Sequence, residues 1–512
     1  MKNALTILLL LILATGVYLT TIRGTIGNPV IGKDSGPLAK ATGPFESSHE
    51  RAPYALLVSL VESKSLSLTR TLVNFASPDT VFSKDKFFII FPPGISFIAI
   101  PFYVLGKFYN VAQLATFGGM MIFAVLNLIF LFLISNKIFK LSTSISFISA
   151  LIFGFASTSL SYATSLYQHH LTTFLVLSSF YAAYIYKFGK SSRWLTGIWI
   201  WASVGFCLWI DYPTVLFMIP VVVYMFLNSF NFEEIKGIYK VSFSIIFLLT
   251  MSVLLFITGI NGYYNQKNFG SWKQIAQLLP RYDSSKIKNS KDKKSLPTIS
   301  KRELSKSVSG VAREDKVVNG LYILSIAPDK GLFFFSPIYI LAILGILLAI
   351  KKKEKYIVEI GILVAIFLVN LIFFSSWGDP WGGWAYGPRY LVPSMAILSI
   401  FVAYWVEKTK YQIVGRTTAF FLAAYSVFIA ILGAYTTTAT PPKVEADYLK
   451  LKYGYFLNLD FFEQGKTGSF IFKEYLSKYI TFHEFFLIIL GLLIVIFYLF
   501  LFVPPLLEEN TH

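Results

Sequence analysis

The residues whose types could do chemistry stand in four groups. In the polar stretch after the first apolar run, Glu46, His49, Glu50 and Arg51 lie together, and Asp79 and Asp85 follow beside Pro78 and Lys84 or Lys86. A carboxylate there can take a proton from a hydroxyl. Acids at a helix start also serve as caps, and a carboxylate in a turn is usually just solvated. The second group is Trp377-Gly-Asp-Pro-Trp-Gly-Gly-Trp-Ala-Tyr-Gly-Pro-Arg389. Its glycines and prolines shape a tight loop rather than continue a helix. The faces of Trp377, Trp381 and Trp384, backed by Asp379 and Arg389, suit a sugar ring and a phosphate. The plainer alternative is an aromatic belt at a membrane interface. His169 and His170 form the third group. Adjacent histidines project in different directions on a helix, and no His-x3-His spacing exists, so they are poor joint metal ligands; a hydrogen-bonded interfacial pair is the alternative. Asp211, in Trp-Ile-Asp-Tyr-Pro, is the fourth: functional if intramembrane, a cap if at a hairpin tip. Cys207 is the sole cysteine and sits in an apolar run, which excludes a disulfide framework or a cysteine zinc site and leaves no thiol nucleophile.

The elements that must position these groups are membrane helices. Apolar residues make up 55% of the 512 positions and charged residues 14%, against about 25% charged in an ordinary globular domain. Continuous apolar runs of about 18 to 25 residues recur, the length of a membrane-spanning helix. A barrel would alternate instead. The formal charge of +18 would suggest nucleic acid in a soluble chain, but here much of it sits at helix ends, where it orients the helices. No nucleic-acid partner is therefore expected.

Short basic segments set the topology: Lys137 and Lys140; Lys187, Lys190 and Arg193; Lys236 and Lys240; Lys351, Lys352 and Lys353; Lys408, Lys410 and Arg416. With all five in the cytoplasm beside the N-terminus, spans fall at 4–21, 111–135, 144–162, 170–186, 194–209, 212–228, 241–260, 333–350, 356–374, 391–406, 417–436 and 484–503, about twelve in all. The first could instead be a signal peptide; its long apolar stretch through Leu19 favours a retained helix. The apolar segment 87–106 breaks the alternation, and its Phe-Pro-Pro-Gly start suits a re-entrant or interfacial helix on the outer side. The segments 22–110, 163–169, 261–332, 375–390 and 437–483, with Asp211, then all face outward. Within 261–332, the Ser/Lys-rich part 284–317 reads as mobile and solvated, or as a hand over anionic headgroups. Tyr54, Leu57, Leu60 and Val61 recur at helical spacing, the pattern of an amphipathic helix lying in the interface.

An outer loop after the first helix, with acids ahead of an interfacial helix, resembles the GT-C class of membrane glycosyltransferases, which includes protein O-mannosyltransferases and lipid A aminoarabinose transferases. Four further stretches resemble bacterial and archaeal members: Phe91-Pro-Pro-Gly-Ile-Ser-Phe-Ile-Ala-Ile-Pro-Phe-Tyr-Val-Leu-Gly106, Tyr264-Asn-Gln-Lys-Asn-Phe-Gly-Ser271, Ser325-Ile-Ala-Pro-Asp-Lys-Gly-Leu-Phe-Phe-Phe-Ser-Pro337, and Trp377 to Arg389. The resemblance covers residues 1–436, a transmembrane catalytic region. Residues 437–512, an outer loop with Glu445, Asp447, Asp460 and Glu463 and a last helix, match nothing recognised. Many members carry an Asp at the outer end of the first helix, where this chain has Thr21, Ile22, Arg23 and Gly24.

The resemblance implies an all-α polytopic, GT-C-like membrane protein with interfacial or re-entrant helices in the first outer loop. It implies a sugar moved, with inversion, from a polyprenyl- or dolichyl-phosphate donor to an extracytoplasmic protein, lipid or glycan. Glu50 is the closest match to the family's acidic position and becomes the catalytic base, with Asp79 and Glu46 as rivals. Arg389, Lys330 and Arg51 become the donor phosphate ligands. Trp377, Asp379, Trp381, Trp384, His169, His170 and Asp211 remain for sugar or acceptor. No cofactor is implied with certainty, and a divalent metal is left open, with no clear site. The setting is a multi-pass protein of the plasma (inner) membrane with its active site outside, meeting membrane lipids, the lipid-linked donor and the acceptor. A transporter or lipid flippase, or a non-catalytic membrane scaffold, are the alternatives. The absence of internal repeats and the gathering of polar residues outside rather than midway weigh against transport.

Overall fold

The computed structural model describes residues 2–28, 43–235, 238–282, 316–410 and 412–509, and it is built almost wholly of helices. Apolar runs without water must satisfy their backbone internally, and a helix does so within one segment. Among the described residues, eight helices are long and apolar enough to cross a membrane: Asn3–Thr21, Ala112–Ile138, Ser192–Ile210, Ile246–Phe269, Ile357–Ser375, Arg389–Thr409, Ile413–Tyr435 and Phe482–Val503. These match eight of the predicted spans. The other four predicted spans are helical but shorter or less apolar: Thr143–Phe155, His169–Tyr186, Thr214–Leu227 and Pro337–Lys351.

Val392–Thr409 is the central helix, and almost every residue of it is buried. It packs against Thr143–Phe155, Ile340–Lys351, Ile357–Ser375 and His169–Tyr186. A helix apolar on all sides belongs at the centre of a bundle. Close approach is bought with small residues: a Cβ on Gly345 would stand 2.1 Å from the carbonyl oxygen of Phe401. In lipid, such packing rather than water exclusion drives helix association.

Three readings change. The predicted span at 241–260 begins instead as a hairpin, Phe230–Ile235 paired with Ile238–Phe243, and its helices run on from Ile246 to Phe269. The alternation Ile-Tyr-Lys-Val-Ser-Phe favours a strand there. The predicted interfacial helix is present as Ser48–Glu62, but its first three turns are enclosed by protein. Tyr54 packs against the rings of Phe45, Phe75, Tyr103 and Phe117. Ser96 Oγ donates to the Pro53 carbonyl at 2.8 Å. It is a core helix because Arg70–Ala76 and Gly94–Phe108 cover it. The segment 87–106 opens with the last residues of a short hairpin, Thr80–Ser83 paired with Lys86–Ile89, before the helix Gly94–Phe108. Its turn is Lys84-Asp85, both at positive φ, the type I′ geometry. Asp85 is thereby a turn residue. At 15 residues and about 1.5 Å each, the Gly94–Phe108 helix reaches about 22 Å, short of the roughly 30 Å hydrocarbon core.

The loops sort to two ends. At the basic end, Asn3 bonds Asn136, Glu407 accepts from Ser142, Lys408 pairs with Glu354, and Lys187 pairs with Glu359. The segments read as outer gather at the opposite end. There Asp79 meets Arg281, Thr438 donates to Glu46, Ala385 donates to Thr440, and Phe470 donates to the Ile22 carbonyl. The C-terminal segment is thus stitched across the end of the first helix. The Ser/Lys-rich segment lies outside the described residues.

Candidate functional site

The gathered end holds an unusual density of buried charge: Arg23, Glu50, Arg51, Asp79, Lys330 and Arg389. Helix geometry places the acids. Ser47 caps the helix Ser48–Glu62, accepting from the His49 backbone, and so puts Glu50 in its first turn. Glu50 faces a cavity with Thr21, Arg23, Pro44, Phe117, Ser161, Thr164, Ser165, Ala434 and Thr438. This cavity, of about 10 Å³, is room for about one water. Burial pushes the Glu50 carboxyl well above the usual carboxylate range; Glu46 adds to that, and Arg23, Arg389 and Arg51 oppose it. Such a carboxyl is a stronger base than one in water.

The rivals are engaged elsewhere. Glu46 Oε2 accepts from Arg23 Nη1 at 2.7 Å and from the backbone and hydroxyl of Thr438 at 2.9 and 3.1 Å. Asp79 pairs with Arg281 at 3.3 Å, while burial raises its carboxyl and Arg281, Ser48 and Arg51 lower it. Arg51 Nη2 donates to the Ser77 carbonyl at 3.0 Å, and its Nε has no partner.

Arg389 opens the short turn Arg389–Leu391 at the head of the central helix. Its guanidinium carbon lies 5.0 Å from the centre of the Tyr167 ring and 5.3 Å from that of Tyr390. The residue is buried, yet Nε and Nη1 find no hydrogen-bond partner. The loop before it bends at Gly382, Gly383 and Gly387, all at positive φ. Gly382 also lies flat against Arg389: a Cβ there would stand 3.0 Å from Nε. Asp379 holds the loop by accepting from the Gly383 backbone at 2.8 Å. The Ala385 carbonyl accepts from Thr440 and from the buried Lys330 ammonium. Burial draws that ammonium down to about 7, Arg389 pushing the same way and Asp379 and Asp329 opposing.

Around Arg389 stands a column of rings. His49 stacks on Tyr167 (5.3 Å, 14°), Tyr167 stacks on His169 (5.6 Å, 13°), and the tilted Phe91 ring lies 4.0 Å from that of His49. His169 Nε2 is buried without a partner. His170 turns the other way, donating from Nε2 to the Ser159 carbonyl at 2.9 Å, so it is part of the core. Asp211 accepts from Thr214 at 3.2 Å, and burial raises it to about 7, against Thr214, Arg389 and Gln168.

Of the sequence-derived residues, the structure brings together Glu50, Glu46, Arg51, Asp79, Arg389, Lys330, His169 and Asp211. Among the described residues the tryptophans make no hydrogen bond or ring contact with Glu50 or Arg389, and Trp381 is half-buried. Trp377 lies against Phe373 and Phe374, and Trp384 is exposed. Sequence reasoning missed Arg23 as a partner of Glu46, and it missed His49 and Tyr167 as ring ligands of the site. Tyr167 immediately precedes the Gln168-His169-His170 run, and Arg23 follows the apolar run directly; those positions were the available signals. Among the described residues no group of three His, Cys, Asp or Glu could hold a metal ion.

No protein-family model matches the chain, and no curated protein matches it. Among solved structures it is similar to ArnT from Cupriavidus metallidurans in the apo state, with a TM-score of 0.49 at 12% identity over 84% of this chain and 70% of that one. The same protein bound to undecaprenyl phosphate gives 0.46 at 12% identity, over 84% and 69%. The archaeal oligosaccharyltransferase AglB from Archaeoglobus fulgidus, in complex with an inhibitory peptide and a dolichol-phosphate, gives 0.43 at 12% identity, over 86% and 57%.

Proposed function

We propose that the chain is a membrane glycosyltransferase that moves a sugar from a polyprenyl- or dolichyl-phosphate donor to an acceptor hydroxyl at the outer end of its helices, with inversion. The observation that supports this most is Arg389: a buried guanidinium with two unpartnered nitrogens, at the same end as the buried carboxylate Glu50. Planar forks of this kind suit phosphate oxygens. Glu50 takes the proton of the acceptor hydroxyl, whose oxygen attacks the anomeric carbon. The bond from that carbon to the phosphate oxygen breaks, and the electron pair leaves with the lipid phosphate. Arg389 stabilises the charge that develops there, with Arg51 beside Glu50. Direct displacement inverts the anomeric centre. Lys330 and Asp379 hold the loop that carries Arg389, while His169 and Asp211 are placed for sugar hydroxyls.

The test uses purified full-length protein in lipid nanodiscs with a panel of polyprenyl-phosphate sugars. Release of polyprenyl phosphate, lowered about 10²–10⁴-fold in Glu50→Gln, is the expected result. Donor bound and moved across vesicle membranes with no bond broken would replace this reading with lipid transport. Failure to bind any donor would leave the scaffold reading.

A further inference from the structure

The sequence offers Glu46 as a base, and the structure gives it a different part. Its Oε2 already accepts three donors, Arg23 Nη1 and the backbone and hydroxyl of Thr438. Arg23 Nη2 in turn donates to the Ala434 carbonyl at 3.1 Å. Both side chains of the pair are buried, 8% and 2% exposed, so bulk solvent screens them little. Arg23 and Thr438 also wall the cavity into which Glu50 faces. The pair is therefore part of the compartment of Glu50, and the residues that fix it come from distant parts of the chain. Besides Thr438, Ser469 Oγ donates to the Thr20 carbonyl at 2.6 Å, and the Phe470 backbone donates to the Ile22 carbonyl at 2.8 Å. These bonds clamp the end of the first helix, where Arg23 begins its reach.

We propose that the buried Arg23–Glu46 pair is a positioning device that sets how tightly Glu50 holds its proton, and that the segment 437–481 keeps the pair in place. The inference rests on the reading of Glu50 as the base. The charges that face Glu50 are few and can be named. Arg51 is on its own helix, Glu46 lies just before it, Arg23 follows the first helix, and Arg389 heads the central helix. Tyr162 and Tyr167 interact with it from the segment between the helices Thr143–Phe155 and His169–Tyr186. Lys473 stands near Arg23 and Glu46. Glu46 and Arg23 act on Glu50 with opposite signs, so each offsets part of the other while they are paired. Removing one member alone exposes the field of the other.

Dicyclohexylcarbodiimide reads this directly, because it couples only to protonated carboxyls. Labelling of the full-length protein across pH, with the modified residue located by peptide mass spectrometry, gives the pH of half-labelling. Glu46→Gln leaves Arg23 unopposed, and half-labelling of Glu50 should fall by about one unit or more. Arg23→Gln leaves Glu46 unopposed, and half-labelling of Glu50 should rise by a similar amount. The double variant should return towards the wild type. The acid limb of the pH–rate profile should move with each shift. Looser packing alone would let water in and move both single variants downwards, with the double variant lowest; that pattern, or no movement, overturns the proposal. Thr438→Val removes a hydroxyl donor and no charge, so it serves if either charge variant misfolds. A rise of a few tenths of a unit is expected, and none would remove segment 437–481 from the device. If labelling shifts as stated but Glu50→Gln keeps full turnover, the base reading fails and the pair has no catalytic part.

Discussion

Replacing Arg389 by methionine separates a binding role from a structural one, because the two give different outcomes. In the free protein Nε and Nη1 are buried without partners, and an unsatisfied buried polar group costs about 1–3 kcal/mol. Two such groups cost about 2–6 kcal/mol. The ring contacts at 5.0 and 5.3 Å return about 0.5–2 kcal/mol each. Methionine fills similar space and needs no partner but gives up the hydrogen bond to the Tyr390 side chain, so the free variant should unfold close to the wild-type temperature. Donor binding should fall. Truncating one partner of a buried charge pair costs about 2–5 kcal/mol, a loss in affinity of roughly 30- to 5,000-fold. Thermal unfolding in detergent, with and without polyprenyl phosphate, measures both effects. Ligand adds about 2.7 kcal/mol of stability at a hundred times its dissociation constant, so the wild type should gain several degrees and the variant almost none. A variant that is less stable when free yet gains as much from the lipid would refute the reasoning, and Arg389 would be a structural cation.

Glu50→Gln should lower turnover by about 10²–10⁴-fold while the lipid still stabilises the protein to the wild-type extent. Because burial raises the Glu50 carboxyl and a base must be ionised, wild-type turnover should fall as pH drops through a value above the ordinary carboxylate range. Lys330→Met should weaken lipid-dependent stabilisation less than Arg389→Met, since Lys330 donates to Ala385; an equal loss would make it a direct phosphate ligand. The folded chain holds that ammonium to about 7 and the unfolded chain to about 10.4. The unfolded state therefore binds more protons in between, stability should rise with pH across that window, and Lys330→Met should flatten the rise. In a background where the buried Cys207 stays unreactive, an impermeant thiol reagent should label Gln464→Cys from outside and spare Lys353→Cys; the reverse order would invert the topology.

What was legible in the sequence was what repeats along the chain. Apolar runs carry their own period and length, so the eight long helices were found and the gathering of loops at two ends followed from the basic segments. The surroundings of Ser48–Glu62 were not legible. Tyr54 and Leu57 mark one apolar face, but the burial of the rest comes from Arg70–Ala76 and Gly94–Phe108, which local spacing cannot show. The hairpin at 230–243 was lost because its second strand joins an apolar run with no turn signal between them. In the candidate site, position at the start of the Ser48–Glu62 helix singled out Glu50 and the Gly/Trp-rich loop singled out Arg389, and both fall at the same end. The partnership of Arg23, Glu46 and Thr438 was hidden by separations of 23 and 392 residues.

The three candidate carboxylates differ in what neutralises them, and that difference carries more than their positions do. Glu46 is closed on Arg23 at 2.7 Å and Asp79 on Arg281 at 3.3 Å. Among the described residues no ion pair joins Glu50 to Arg51 or Arg389, although both act on it. Opposite charges attract by about 4 kcal/mol at 4 Å with an effective dielectric constant of 20. If nothing prevented it, they would close into a pair. Tyr167 engages the cation instead: its ring lies against the Arg389 guanidinium at 5.0 Å and stacks with those of His49 and His169. On the proposed reading, a base and a cation left unpaired at one end of the bundle form the arrangement needed when the group between them is to be supplied by a substrate. Buried polar groups without partners cost stability in the free protein, and the bonds from Thr438, Ser469 and Phe470 to the first helix and its Glu46 loop hold that end together.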